Sequence, residues 1–383
     1  MDNIQQLIKT YNKTGDKKLY NDILELIKTQ ETLWVAFSPV TKNYYLNFVN
    51  GSPTAFIFSE KEYYDAFQDY LLQYQVKVSA VENDVENRTS MFGDFYRSGF
   101  ESIIVDNGQT FLIAEISDII EKPDFSSLPE TERPVMNPLL VCAAGRFFQN
   151  LDAKSATRDM EYDMLVEIYK SKYLLAMNVE NETNGIHEIG ADGKPIITVA
   201  GITRSDGRKT IPFFTDWNEL KKFNKDGNMK CYVASFEDIK HFCSNGELVT
   251  VNPFGFNMVI DKNSAEIIES LAKNSVPENG ERVTIFAIDM VPADMIDEMK
   301  KIFDHTDSIK SAYIRGMRKN GVKGYLVIVD FEGDKEPVFA GIAEKVKPYT
   351  KNLPVDFIKY NTELGKKAVG DSKPFYEKIK FEF

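Results

Sequence analysis

Apolar and polar residues alternate along the first part of the chain at two spacings, which predict two kinds of element. Leu19, Ile23 and Ile27 share one face of a helix over residues 16–28, and charged residues occupy the opposite face. The pattern then changes to short runs of strand-forming side chains separated by polar and turn-forming residues. The runs that predict strands are residues 33–40, 44–49 and 55–58.

A second helical pattern follows these strands. Ser59 and Glu62 have the spacing of a capping box, and Tyr63, Phe67 and Leu71 follow at intervals that place them on one face. The unit is completed by predicted strands at residues 76–81, 102–105 and 111–116 and by a short helix around residues 94–99.

The order of elements in this first unit returns later in the chain. Residues 23–33 align with residues 164–174 at an offset of 141, and residues 55–67 align with residues 211–223 at an offset of 156. The difference of 15 residues predicts an insertion in the polar stretch 181–194. The repeat predicts two tandem copies of one α/β module, roughly residues 19–120 and 160–270.

The segment between the two copies is rich in proline, with Pro123, Pro129 and Pro134 in close succession, which suits an extended linker. It leads into the apolar run 139–148, which fits either a helix packed on the first module or a linker strand.

Beyond residue 280 the pattern predicts a strand, a helix, a hairpin around Asn320-Gly321, a second helix and a strand. This is the βαββαβ order of a ferredoxin-like domain, and the predicted fold class is therefore α+β. The predicted domains are residues 1–122 (first module with leading helices), 123–150 (linker and apolar segment), 151–276 (second module) and 281–383 (ferredoxin-like domain).

Composition narrows the classes of function. The net charge of −12 is unfavourable for binding a nucleic-acid backbone, and the acidity is confined to residues 1–280, which hold 28 basic and 41 acidic residues. The N-terminal segment has no pattern of a secretory signal, and no apolar stretch approaches the length of a membrane span. Three cysteines are too few for a disulfide framework. We therefore expect a cytoplasmic protein that does not bind a membrane.

The later segments of the chain resemble the SseB family, bacterial proteins named for enhanced serine sensitivity on overproduction. Residues 211–223 and 248–260 resemble the family's N-terminal domain, and residues 281–383 resemble its C-terminal domain, with the closing sequence Lys373-Pro374-Phe375-Tyr376. The resemblance implies a cytoplasmic bacterial protein without an established biochemical activity, and it supplies no catalytic residues.

Three groups of residues form the candidate binding surface. Thr215 is the predicted N-cap of a helix, Asp216 places negative charge in its first turn, and Trp217 has no capping role, so it is available for recognition. In the first copy the corresponding residues differ, which favours the second copy as the site. The complete candidate set is Thr215, Asp216, Trp217, Asn252, Pro253, Pro374, Phe375 and Tyr376.

Other chemistry receives little support from the sequence. Cys231, His241 and Cys243 lack the fourth ligand and the close cysteine pair of a structural zinc site, so we predict no metal. His187 and His305 lie in a loop and a helix end and suggest no Cys–His catalysis. Phosphate-binding glycine loops are absent, so no nucleotide cofactor is predicted.

The leading hypothesis is a non-catalytic protein-interaction or regulatory protein of the SseB type. One alternative is a small-molecule sensor or enzyme with its site between the modules, for which the resemblance suggests amino acids as ligands. Another is a secretion chaperone or toxin-neutralising protein, because an acidic surface suits a basic client. RNA binding is disfavoured because Leu326 and Ile328 stand where an RNA-recognition domain would carry stacking aromatic residues.

Overall fold

The computed structural model divides into two compact units. One unit comprises Met1–Asn47 with Pro53–Ser275, and the other comprises Phe48–Ser52 with Val276–Phe383. The described helices include none with the length and apolar character that a membrane crossing requires. The residues that the structure describes are 3–129, 132–177, 199–227, 229–274, 283–288, 291–319, 322–333, 335–350, 353–370 and 372–378.

The first unit begins with a mixed sheet, here called the N-terminal sheet, which runs β5-β1-β4-β6-β7 with β2 at its margin, and of β3 only Asn47 belongs to this unit. The apolar face of α2 is buried at Ile23, Leu24 and Ile27. The elements are α1 (Ile4–Thr14), α2 (Lys17–Thr29), β1 (Thr32–Ser38), β2 (Asn43–Tyr44), β3 (Asn47–Val49), β4 (Ser52–Phe58), α3 (Lys61–Leu72), β5 (Ser79–Asp84), α4 (Arg88–Arg97), β6 (Ser102–Val105) and β7 (Leu112–Glu115).

A second sheet in the same unit, the central sheet, runs β11-β8-β10-β12-β13, with β9 beside β10. Its core includes Met164 and Ile168 from α6 and Phe213 from β10. The elements are α5 (Pro138–Asp152), α6 (Arg158–Lys170), β8 (Tyr173–Met177), β9 (Ile202–Thr203), β10 (Lys209–Phe214), α7 (Trp217–Phe223), β11 (Lys230–Ala234), α8 (Phe236–Ser244), β12 (Val249–Val251), β13 (Met258–Ile260) and α9 (Lys262–Asn274). The predicted insertion at residues 181–194 lies outside the described residues.

The two sheets of the first unit share one strand order and one set of strand directions. In each sheet the third and fourth strands are parallel, β4 with β6 and β10 with β12, and the other neighbouring pairs in the order are antiparallel. The parallel pairs also share their register. Residues 101–105 align with residues 247–251 at an offset of 146. Ala55 pairs with Ile103, and the two residues that align with them, Ile211 and Val249, pair with each other.

The apolar run whose structure the sequence left open is the helix α5. Leu140 and Ala144 on this helix belong to the core of the central sheet. On another face, the Gln149 side chain exchanges hydrogen bonds with the backbone of Leu46, at 3.1 Å to the amide nitrogen and 2.8 Å to the carbonyl oxygen. This helix therefore joins the central sheet to the loop between β2 and β3.

The second unit contains a mixed sheet, the C-terminal sheet. Helices α10 and α11 contribute Met299, Phe303 and Ile342 to the core on one face, and α12 contributes Ala368 and Val369 on the other. Its elements are β14 (Val283–Phe286), α10 (Ala293–Asp304), β15 (Ile309–Lys319), β16 (Val322–Phe331), α11 (Lys335–Val346), β17 (Val355–Lys359), α12 (Glu363–Val369) and β18 (Tyr376–Glu377).

The C-terminal sheet has the predicted βαββαβ element order, but its strand order is not ferredoxin-like. The order is β14-β15-β16-β17, so each helix connects strands that are direct neighbours. A split βαβ arrangement would place a strand of the other half between them. The long antiparallel pair β15–β16 sets this strand order. β17 pairs with the other side of β16, and β14 and β18 both pair with β15.

Several predicted boundaries in the N-terminal sheet also shift. The strand expected at residues 76–81 is Ser79–Asp84, and the short helix expected around residues 94–99 is Arg88–Arg97. Ser59 forms no capping box with Glu62, because α3 begins after Glu60 and the Ser59 side chain bonds elsewhere.

Candidate functional site

The carboxyl ends of β10 and β12 carry a pair of residues that are joined through their side chains. The Thr215 backbone nitrogen donates to Asn252 Oδ1 at 2.9 Å, and Asn252 Nδ2 donates to Thr215 Oγ1 at 2.7 Å. Both residues are buried, and Asn252 has a positive φ of 46°, a conformation that asparagine tolerates better than most residues. The pair holds two loops together at this edge of the central sheet.

Asp216, rather than Thr215, caps the helix that follows. Asp216 Oδ1 accepts hydrogen bonds from the backbone nitrogens of Asn218 at 2.9 Å and Glu219 at 3.1 Å. The Thr215 hydroxyl is directed to Asp216 Oδ2 at 2.9 Å. The predicted N-cap role of Thr215 is therefore wrong, because Asn252 already holds its backbone nitrogen and Asp216 takes the capping position.

The N-terminal sheet has the same junction with different side chains. The Ser59 backbone nitrogen donates to Asp106 Oδ1 at 2.7 Å, and its hydroxyl donates to Asp106 Oδ2 at 2.8 Å. Asp106 also has a positive φ, of 58°, and Gln5 Nε2 from α1 donates to its Oδ2 at 2.6 Å. Burial raises the pKa of the Asp106 carboxyl, against the effect of these hydrogen bonds. The side chain of Gln5, from helix α1, thus fills the Ser59–Asp106 junction.

A cleft of about 220 Å3 lies between the two sheets of the first unit, beside Asn252 and Asp216. The N-terminal sheet contributes the loop around Tyr44 and the end of α4, and α5 forms a further wall. Burial raises the pKa of Tyr44 to about 12. The residues that line the cleft are Phe37, Thr41, Lys42, Asn43, Tyr44, Leu46, Asp94, Arg97, Ser98, Phe100, Val141, Cys142, Gly145, Asp216, Asn218, Glu219, Lys222, Asn252, Gly255 and Phe256.

Charged side chains cross this cleft and connect its two sides. Arg97 pairs with Asp94 on its own helix at 2.7 Å, and its Nε lies 3.3 Å from Asp216 Oδ1. In the reverse direction, Asn218 Nδ2 donates to Asp94 Oδ1 at 3.2 Å. The Asp216 side chain is only 5% exposed, so solvent screens its pairing with Arg97 less than it screens a surface pair.

Two lining residues carry a buried oxygen without a hydrogen-bond partner among the described residues, Thr41 at Oγ1 and Glu219 at Oε2. Glu219 is the charged residue of the two. Its Oε1 pairs with Lys222, whereas its Oε2 is buried and has no hydrogen-bond partner among the described residues. Burial raises the pKa of the Glu219 carboxyl more strongly than Lys222 lowers it. This oxygen packs near Gly255, where an added Cβ would lie 3.0 Å from it.

We expect the Glu219→Gln variant to show a flatter dependence of stability on pH. A folded-state pKa above the ordinary 4.5 means that Glu219 favours the folded state fully at low pH and that this contribution is lost as pH rises through the folded value. Because glutamine does not titrate, the substitution removes this decrease in stability with rising pH. Thermal unfolding at several pH values across the acidic range measures the difference. An unchanged slope would contradict the assignment, and Glu266→Gln on the exposed face of α9 is the control.

Next to the cleft, the central sheet exposes large aromatic side chains. Trp217 is 45% exposed and Phe254 is 36% exposed. Phe254 stacks on the half-buried Phe223, which in turn stacks on the buried Phe214. Pro253, between Asn252 and Phe254, is half-buried. The sequence identified Trp217 but not Phe254, whose position after Pro253 was the available signal.

The remaining candidates belong to the second unit. Tyr376 is buried and packs edge-on against Phe303, and Phe375 is half-buried against the same ring. Pro374 is also half-buried. Tyr376 pairs with Ala312 in β18, so this segment completes the C-terminal sheet. Residues 379–383 lie outside the described residues.

The residues considered for metal or thiol chemistry have separate structural roles. Among the described residues, no three histidine, cysteine or acidic side chains converge as metal ligands. Cys243 is buried with its Sγ 3.4 Å from the Ile260 carbonyl oxygen, whereas His241 is exposed. Burial raises the pKa of the Cys243 thiol to about 11 and also raises that of Cys231, which disfavours the reactive thiolate at neutral pH. His187 lies outside the described residues.

Comparison with known proteins shows two matches to family sequence patterns. The pattern of the SseB protein N-terminal domain matches residues 149–264, which include the central sheet and the Thr215–Asn252 pair. The pattern of the SseB protein C-terminal domain matches residues 277–378.

Among solved structures, Tic22 from Plasmodium falciparum is similar to this chain at 12% sequence identity. The match covers 57% of this chain and 84% of Tic22, with a TM-score of 0.15, which is too low to support an inference. No curated protein matches the chain. The two domain patterns together span more than half of the sequence, and the chain belongs to the SseB family.

Proposed function

We propose that this SseB-family chain is a non-catalytic protein-interaction or regulatory protein that contacts its partner through the aromatic surface of the central sheet. The observation that carries the proposal is Trp217, which is 45% exposed although tryptophan usually buries most of its area. Phe254 extends the exposed surface, and the Thr215–Asn252 pair fixes the start of α7, which carries Trp217, against the loop that carries Phe254. Rigid aromatic side chains dominate the binding energy of many interfaces.

We also propose that the N-terminal and central sheets are tandem copies of one module. The common strand order and the equivalent junctions, Ser59 with Asp106 and Thr215 with Asn252, support a duplication. The copies differ at the proposed surface, where Glu60-Lys61 stands in place of Asp216-Trp217. We therefore assign partner binding to the second copy.

The proposed setting is the bacterial cytoplasm, where reduced thiols are the normal state. None of the three cysteines, all of them among the described residues, forms a disulfide, and two of them are buried. Because residues 1–280 hold 41 acidic and 28 basic residues, electrostatic complementarity favours a basic partner. A secretion or toxin client with basic character would satisfy the same requirement.

Trp217→Ala should abolish capture of the native partner from cell extract. Loss of a central aromatic contact costs about 2 kcal/mol or more, which weakens binding roughly 30-fold. Phe111→Ala is the matched control, because Phe111 is an aromatic residue at 43% exposure directly before β7 of the N-terminal sheet. Retention of the same partner by the Trp217 variant would refute the proposed surface.

A second candidate function is a small-molecule sensor with its ligand between the two sheets. The specific observation in its favour is the cleft of about 220 Å3, together with the unsatisfied Oε2 of Glu219 within it. Pockets between domains commonly bind small molecules. The two candidates are compatible, because the cleft and the aromatic surface share the loop that contains Asp216.

A further inference from the structure

We propose that the cleft between the N-terminal and central sheets binds a compact zwitterion, a ligand that carries one primary ammonium group and one anionic group. This inference rests on the second candidate function and adds the chemical class of the ligand. The cleft of about 220 Å3 is smaller than the roughly 300–1,000 Å3 of pockets for drug-sized molecules, which limits the ligand to few atoms.

The ammonium group is indicated by Glu219. A buried carboxylate oxygen without a partner is costly, and Oε2 is such an atom, since Lys222 bonds to Oε1. A primary ammonium group supplies a charge-assisted donor that would satisfy it. The other lining carboxylates, Asp94 and Asp216, already accept bonds from Arg97 and Asn218.

The anionic group is indicated by the charge balance of the lining. Three carboxylates, Asp94, Asp216 and Glu219, face three cations, Lys42, Arg97 and Lys222, so the lining as a whole is neutral. A ligand with a bare ammonium group would add an unbalanced positive charge, whereas a zwitterion adds none.

Lys42 is the cation available to the ligand's anionic group. Arg97 and Lys222 are engaged in ion pairs, while Lys42 makes no ion pair within the described part of the chain. Its backbone φ of 50° places it in the left-handed turn that borders the cleft. Its side chain is exposed, so its replacement does not threaten the core.

The first test is titration calorimetry of the full chain with each of the standard L-amino acids as probes. We expect at least one to bind at concentrations below about 10 mM, a low affinity that suits a compact ligand. For that probe, three matched analogues separate the groups: the hydroxy acid lacks the ammonium, the decarboxylated amine lacks the anion, and the N-trimethyl derivative cannot donate a hydrogen bond. Each should bind about tenfold more weakly or worse.

Variants place the binding in the cleft. Glu219→Gln should weaken the amino acid about tenfold or more, and Lys42→Gln should remove the preference for the amino acid over its decarboxylated amine. Glu266→Gln should leave binding unchanged, because Glu266 is an exposed residue outside the cleft. An N-trimethyl derivative that binds as tightly as its parent would overturn the ammonium assignment.

The outcomes distinguish this inference from the functions on which it depends. If bare amines bind, lose affinity in Glu219→Gln and exceed every amino acid, the sensor function stands and the zwitterion is wrong. If none of these probes binds at about 10 mM, the zwitterion proposal is refuted and the sensor function loses its support. Partner capture through Trp217 is measured separately, so neither result decides it.

Discussion

Replacing Arg88 with alanine should lower the free energy of unfolding of the N-terminal sheet by about 4 kcal/mol. Arg88 is only 2% exposed and is the largest fully buried side chain of the chain's described part. Its guanidinium donates to the carbonyl oxygens of Ile27, Gln30 and Asn83 and to the Asn83 side chain. The truncation leaves these acceptors without their donor and opens a cavity.

The position of Arg88 explains why its loss affects the whole sheet. Ile27 and Gln30 lie at the carboxyl end of α2, where exposed carbonyls and the helix dipole favour a cation, while Asn83 lies in β5. Burial lowers the pKa of Arg88, and Asp84 opposes that effect. One side chain therefore connects a helix end to an edge strand.

The two tryptophans allow each sheet to be followed separately in the intact chain. Trp34 lies in β1 and Trp217 lies in α7, so a Trp217→Phe background reports denaturant unfolding of the N-terminal sheet alone. Arg88→Lys should recover part of the lost free energy of unfolding, because a single ammonium group cannot reach all the acceptors that the planar guanidinium group binds. Arg133→Ala removes an exposed arginine that also donates to two carbonyls, and a loss there equal to that of Arg88→Ala would contradict the account.

Asn252→Ala should destabilise the central sheet by about 3 kcal/mol. The change removes the acceptor for the Thr215 backbone nitrogen and the donor to its hydroxyl, both of them buried. It also places alanine at a positive φ of 46°. Fluorescence of Trp217 in a Trp34→Phe background follows the unfolding of this sheet.

Two further variants separate the causes of this effect. Asn257 also has a positive φ, of 54°, but is exposed, and its side chain accepts one long, exposed hydrogen bond from Arg204 at 3.3 Å. Asn257→Ala should therefore cost roughly 1 kcal/mol, most of it backbone strain. Asn252→Asp introduces the residue found at position 106, keeps the acceptor for Thr215 and adds a carboxylate beside Asp216. For Asn252→Asp we expect an intermediate loss of stability that diminishes at low pH. Equal losses of stability for Asn252→Ala and Asn257→Ala would refute the hydrogen-bond account.

Periodicity predicted the elements of the repeat well, because amphipathic helices and buried strands leave local patterns. Helix 16–28 was found as Lys17–Thr29, and the strand expected at residues 55–58 is the end of Ser52–Phe58. The alignment of residues 23–33 with residues 164–174, which contains no gap, was less accurate. Phe58 pairs with Trp34, whereas Phe214 pairs with Leu174, the residue that aligns with Leu33. Strand register depends on partners that a single sequence does not reveal.

The errors at the helix starts share one cause. Ser59 and Thr215 have the sequence signature of N-caps, yet each gives its backbone nitrogen to a side chain at the end of another strand. Local spacing cannot indicate a partner such as Asp106, which lies 47 residues away. A site between the modules was among the alternatives, but its lining was not predicted for the same reason, since no local pattern indicates that Arg97 meets Asp216.

The most direct test of partner binding at Trp217 is photocrosslinking in the native cells. A benzophenone amino acid would replace Trp217 in one strain and Phe111 in another, two aromatic positions at 45% and 43% exposure. We predict one discrete crosslinked species from position 217 that is absent from position 111. Equal crosslinking from both positions, or none from position 217, would contradict the assignment of the partner surface to the central sheet.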